Sequence, residues 1–460
     1  MFQSKPSSFQ TETAEALAPL AEVLGAFSHI LDLAEGQPLR HSIRCCWMGA
    51  KLAQAAGFSE AARWHAYYAV LLKDLGCSSN AAQVAKTYVA DDRRIKPARR
   101  LSGRGVFSAL RFVIVHAGQG LPAGKRAKVI ARALKRGPRM PRKLVAAKSS
   151  HGADIARALR LPEGVAQAIA ALDEHWNGGG RPKGLAGTAI PAGARIAQIV
   201  QTADVFHRVG GPELARKEIR KRRGTMLDPK LTDTFLALSA ETAFWEELDA
   251  PDIERRMAAM EPPGPFVLVD EDYLDGIAAA FGRVIDAKSS YTEGHSARVG
   301  ELCDEIAAEL GYAPEHRRAL RRAAMLHDVG KLGVSSTIIE KPGKLDGDEW
   351  RTMQAHAART TEILGRIAAL SEMALIAGSH HERLDGRGYP LGVGAGLITL
   401  DTRIITACDF FDALTSDRPY RPALGPSQAI GVMADQVGTA IDPQCFAALN
   451  AVIAKRATAC

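Results

Sequence analysis

Two polar signatures recur at a fixed separation, and the chain must therefore satisfy the same fold twice. His41-Ser42-Ile43-Arg44 and His295-Ser296-Ala297-Arg298 lie 254 residues apart, as do Lys73-Asp74-Leu75-Gly76 and His327-Asp328-Val329-Gly330. Further on, His151 matches His356, each followed eight residues later by a leucine, Leu159 or Leu364. Gly178-Gly179-Gly180-Arg181-Pro182 matches Gly386-Arg387-Gly388-Tyr389-Pro390. Gly224-Thr225-Met226-Leu227-Asp228-Pro229 matches Gly438-Thr439-Ala440-Ile441-Asp442-Pro443. Convergent helical patterning would not keep polar anchors in order, so an internal duplication is read.

Each copy carries apolar residues at helical spacing, and the chain is rich in Ala and Arg with only 6% aromatics. Both features predict an all-α fold. The organisation expected is a loose polar tail over 1–12, a first domain over 13–240, a linker over 241–269 and a second domain over 270–460. The linker is placed by Glu261-Pro262-Pro263-Gly264-Pro265, followed by a strand-like patch, 266–269. The seven cysteines include no CxxC pair. With no signal-peptide pattern and no long uncharged apolar run, a cytoplasmic location is expected.

The net charge of +8 comes from one segment. Residues 81–150 hold 18 Lys/Arg against Asp91 and Asp92, a net +16, and the remainder nets −8. This basic segment coincides with an insertion. Asp74 to His151 spans 77 residues, whereas Asp328 to His356 spans 28. A surface for nucleic acid, an anionic lipid surface or an acidic partner is one reading; a solvated cap is the other.

The second copy holds the chemistry. His295, His327, Asp328, His356, His380, His381 and Asp409 arrive from separate helical stretches, with Asp412 one turn after Asp409. Imidazoles and carboxylates in such a set suit a pair of divalent first-row ions. The His-Asp pair, the His380-His381-Glu382 run, the Asp385-Gly386-Arg387-Gly388-Tyr389-Pro390 loop and Asp409 together resemble the HD-GYP family of bacterial phosphohydrolases. The resemblance covers about 270–454. It implies two tandem HD-type helical domains, the first degenerate, and hydrolysis of cyclic di-GMP to the linear dinucleotide or GMP. It implies His295, His327, Asp328, His356, His380, His381 and Asp409 as metal ligands, with Asp328 bridging two ions, iron or manganese first. Asp328 and Lys331 would be catalytic. Lys331, Gly388, Tyr389, Arg418 and Arg421 would contact substrate, although Arg418 and Arg421 fit a structural salt-bridge role equally well. Tyr291, where some members place a third-metal carboxylate, favours two ions. Another cyclic dinucleotide or nucleotide substrate, and a non-catalytic cyclic di-GMP-binding scaffold, are the alternatives.

The first copy keeps His41, Asp74 and His151 but has Lys73 for the signature histidine. Leu172 and Asp173 stand for the His-His pair, and Gln201 stands for Asp409. A lysine inside the site repels cations, so this half is expected to be metal-free. A single-ion site from His41, Asp74 and His151 is the alternative.

Overall fold

The computed structural model describes residues 19–101, 106–135, 142–265, 267, 269–418 and 421–459. The expected tail, 1–12, lies outside them, as do Phe266 and Leu268 of the strand-like patch. The described residues are helical, and their only β pairing is four isolated bridges. Among them, no helix is long and apolar enough to cross a membrane.

Two units form, one of Ala18–Val269 with Ser335–Thr337, the other of Asp270–Val334 with Ile338–Cys460. In the second, Asp270 caps Glu271–Asp286 by accepting from the Tyr273 N–H, and Glu271 and Asp272 fill the first turn. Leu274, Ile277, Ala278, Phe281, Val284 and Ile285 recur at helical spacing and are buried. His295–Glu309 packs against both Pro314–Leu326 and Leu400–Thr415. Asp346 and Glu349 form a capping box that starts Gly347–Gly365, which packs against Ser371–Gly378. Thr399 caps Leu400–Thr415.

The first unit repeats this frame contact by contact. Ser296 donates its N–H and hydroxyl to the buried Asp286, as Ser42 does to Asp32. Glu382 accepts from the N–H groups of Leu391, Gly392 and Val393; Glu174 accepts from Lys183, Gly184 and Leu185. Arg403 pairs with Asp442, and Arg195 with Asp228. These carboxylates fix the chain where the loops turn, because a buried carboxylate needs such donors.

Two expectations are corrected. Residues 241–269 are not a bare linker. Thr242–Leu248 and Ile253–Ala258 are helices that bury Phe244, Trp245, Leu248, Ile253 and Met257. Phe244 meets Trp47 with ring centroids 5.2 Å apart, and the Tyr67 hydroxyl donates to the Met257 carbonyl at 2.9 Å. The Pro-rich run that suggested a linker follows these helices.

The second correction is a register. A Cβ on Gly330 would sit 2.0 Å from the His356 carbonyl oxygen, and one on Gly76 would sit 2.1 Å from that of Lys148. Lys148, not His151, therefore occupies the His356 position. The insertion between the two anchors is correspondingly 46 residues, since Asp74 to Lys148 spans 74. Both glycines allow two backbones to approach more closely than a Cβ permits. Gly330→Ala and Gly76→Ala are expected to cost about 1–3 kcal/mol each, read by urea unfolding. A neutral outcome would contradict the close approach.

Candidate metal centre

His327 ends Pro314–Leu326, and Asp328 opens the tight turn Val329–Gly333 that follows. Both side chains are buried. From the other elements come His295 at the start of its helix, His356 in mid-helix, His380 and His381 just beyond Ser371–Gly378, and Asp409 on Leu400–Thr415.

The seven residues meet as two groups sharing one carboxylate. Asp328 Oδ2 lies 3.6 Å from His295 Nε2 and 3.5 Å from His327 Nε2. Asp409 Oδ1 closes that group at 3.4 and 3.7 Å from the same two nitrogens. Asp328 Oδ1 faces the other way, 3.4 Å from His356 Nε2 and 3.7 Å from His380 Nε2. His381 joins His356 and His380, with their donor atoms within 4.8 Å of one another.

Four of the five rings are set for ligation by the far nitrogen. The Nδ1–H groups of His327, His356 and His380 donate to the carbonyls of Ala324, Met353 and Ala377, three residues back in each case, at 2.6, 2.6 and 2.7 Å. His295 donates to Asp412 at 2.7 Å, and Arg298 Nε holds Asp412 at 2.6 Å. The Nε2 lone pairs therefore converge. Burial keeps His356 and His381 neutral, with pKa values pushed down to about 3 and about 4. At His295 burial acts in the same direction, but Asp328, Asp412 and Asp409 outweigh it and raise the value to about 9. Burial also opposes ionisation of Asp328, yet Lys331 and the surrounding imidazoles hold it well below the carboxylate range.

The residues fit metal ions. Asp328 Oδ1 is buried with no hydrogen-bond partner while four imidazoles point into the same space. Such an orphaned oxygen is costly unless a cation meets it.

Around this core, Lys331 Nζ donates to Asp328 Oδ2 at 2.5 Å and stays partly exposed. The Tyr389 ring stacks at 35° on His381, centroids 4.7 Å apart. Gly388 sits so close to the Glu382 backbone that a Cβ would come within 2.5 Å of it. Arg421 donates its terminal nitrogens to the carbonyls of Ala413 and Pro422. Arg418 exchanges main-chain hydrogen bonds with Arg421 and is half-buried. The positioning roles of Asp412, Arg298, Glu382 and Thr360 were not foreseen. The Thr360 hydroxyl donates to the His327 carbonyl and accepts from Gly330 N–H. Asp412 had a sequence signal in its matching partner, Asp204, which holds His41 and Arg44 identically.

In the first unit two ligand positions hold lysines, Lys73 and Lys148, and further cations enter from the insertion. Lys73 pairs with Asp74 and donates to Ser42 Oγ at 3.1 Å. Arg100 Nη2 reaches Glu35 at 2.9 Å and Asp74 at 3.1 Å. Lys96 contacts Glu35 at 2.8 Å, and Lys148 contacts Asp173 at 2.9 Å. Gln201, with its amide oxygen turned to the guanidinium, accepts from Arg100 Nη2 at 2.8 Å. Burial opposes the charge on Asp74, but Lys73 and Arg100 outweigh it and hold its pKa far down. Glu35, Asp74 and Cys77 have metal-like spacing, yet Lys96 and Arg100 already neutralise those carboxylates. Lys96 and Arg100 belong to Asp92–Leu101, inside the basic insertion. Lys148 takes the place that the single-ion alternative assigned to His151.

The HD domain family matches residues 127–231 and 280–445, reaching into both copies. The chain belongs to this family, its second half carries the HD-GYP pattern, and it is a metal-dependent phosphodiesterase. It is 44% identical over 437 residues, 95% of each chain, to the 3'3'-cGAMP-specific phosphodiesterase 3 of Vibrio cholerae. The crystal structure of a cyclic GMP-AMP specific phosphodiesterase from V. cholerae aligns over 94% of this chain and 97% of that one, with 41% identity and a TM-score of 0.62. The cyclic di-GMP phosphodiesterase response regulator RpfG of Xanthomonas campestris pv. campestris is 37% identical over 36% of this chain and 45% of its own.

Asp412→Ala frees the His295 ring and is expected to weaken metal affinity about 10–100-fold, measured by chelator competition; unchanged affinity would contradict the positioning role. Lys73→Met leaves Asp74 short of a buried partner and is expected to cost about 3 kcal/mol in denaturant unfolding, whether or not metal is present.

Proposed function

We propose that this phosphodiesterase cleaves a cyclic dinucleotide, with 3',3'-cyclic GMP-AMP as its first substrate and cyclic di-GMP as the second reading. The observation that carries this order is the extent of likeness. The relative named for cyclic GMP-AMP is similar along 95% of both chains, the degenerate half included, whereas RpfG aligns with 36% of this chain. The order reverses the expectation drawn from the motifs alone, in which cyclic di-GMP stood first. Relatives named for cyclic di-GMP, RpfG among them, keep that second reading alive.

His295, His327, Asp409 and Asp328 Oδ2 would hold one divalent ion, and Asp328 Oδ1, His356, His380 and His381 a second. Iron or manganese suits the imidazole-rich set first. Such ions supply a water of lowered pKa and neutralise phosphate charge. Asp328 keeps the two groups in fixed register by offering one oxygen to each. Lys331 is placed to turn its ammonium from Asp328 to a non-bridging phosphate oxygen as negative charge builds. Tyr389 offers a rigid wall over His381, and Gly388 lets the loop backbone lie against the site. A non-catalytic binding role is disfavoured by the complete ligand set.

The test is metal content together with products from a panel of cyclic GMP-AMP, cyclic di-GMP and cyclic di-AMP. The wild type is expected to retain about two ions per chain and to cleave cyclic GMP-AMP fastest. Asp328→Ala should lose the metal and fall to background turnover. Asp74→Ala should retain the metal. Loss of metal from both variants, or faster cleavage of cyclic di-GMP, would overturn the respective part of the reading.

A further inference from the structure

The helix Val106–His116, with sequence VFSALRFVIVH, carries apolar residues on two faces, interrupted by Ser108, Arg111 and His116. One face is used. Phe112 packs with Val84 and Ile95, and Val113 packs with Ala117, Val129 and Ala133. The other face carries Phe107, Leu110, Ile114 and Val115 and is exposed, Phe107 by 89%. Positions 107, 110 and 114 form one stripe at helical spacing, with Arg111 beside them. An exposed apolar stripe on a globular unit marks an interaction surface.

The charge around the stripe selects the partner. Residues 93–150 contain 17 Lys/Arg and no Asp or Glu. The neighbouring helix, Ala123–Lys135, exposes Lys125, Lys128, Arg132 and Lys135. It is tied to the stripe's helix by Arg126, whose guanidinium donates to the carbonyls of Ile114 and Val115. A second copy of this chain docked by the same face would bring two such fields together and be repelled. A nucleic-acid backbone would attract the cations but give Phe107 and Ile114 no burial. A uniformly anionic, apolar-cored surface satisfies both features.

We propose that this helical pair is a peripheral docking surface for an anionic lipid bilayer. Phe107, Leu110 and Ile114 enter the headgroup boundary, and the basic residues around them meet the lipid phosphates. The inference is independent of which dinucleotide is cleaved.

Cosedimentation of the full chain with phosphatidylcholine vesicles, with and without phosphatidylglycerol, tests it. Binding is expected only with the anionic lipid. It should weaken roughly tenfold in Phe107→Asp, and also in the pair Lys125→Glu with Lys128→Glu. High salt should weaken it further. Unchanged circular dichroism would establish that the variants fold, and Phe107→Ser gives a second, uncharged variant. Failure to bind anionic vesicles, equal binding to neutral ones, or full binding by both Phe107 variants would each overturn the proposal. A dimer in light scattering that is lost in Phe107→Ser, without vesicle binding, would assign the stripe to self-association instead.

Discussion

A buried carboxylate in the turn after a helix needs a cation, and much of this molecule is built around that need. Asp328 and Asp74 stand at the same place in two copies of one frame, each only a few per cent exposed. In the second unit, four imidazoles surround Asp328 with their lone pairs inward, and one of its oxygens has no partner. In the first, Lys73 and Arg100 meet Asp74 directly. The two solutions exclude each other at the signature position, where Lys73 stands in place of His327 and puts a buried ammonium where a neutral imidazole would ligate.

The frame is separable from the chemistry. Asp286 with Ser296, Asp412 with His295 and Arg298, and Glu382 with its three loop N–H groups recur as Asp32, Asp204 and Glu174. None of these contacts requires a metal. A copy can therefore lose every imidazole but His41 and keep its helices in place. The substitutions are also chemically consistent with one another. Lys73, Lys96, Arg100 and Lys148 carry four positive charges around Glu35, Asp74 and Asp173, as much charge as two divalent ions. Part of the basic insertion is thus neither a free cap nor a partner surface, because its Asp92–Leu101 helix completes the interior of the first unit.

The helical class, the duplication and the seven residues that converge in the second unit were legible in sequence. Polar anchors in a repeated order survive wherever the packing stays the same. What was hidden depended on contacts across long separations. Pairing His151 with His356 matched like with like, but backbone approach at Gly76 and Gly330 sets the register, and it selects Lys148. The entry of Lys96 and Arg100 into the first site could not be seen from a run of charges, which has the same composition whether solvated or buried. The helices at 242–258 were obscured by the Pro-rich run after them. Arg421 read equally as a phosphate contact or a salt-bridge partner, and its hydrogen bonds to the carbonyls of Ala413 and Pro422 belong to neither reading.

Anomalous diffraction from crystals grown with manganese tests the division between the two units most directly. Two anomalous peaks are expected, one on each side of the Asp328 carboxylate, and none beside Asp74, where Lys73 and Arg100 remain in place. A peak at Asp74, or none at Asp328, would contradict it.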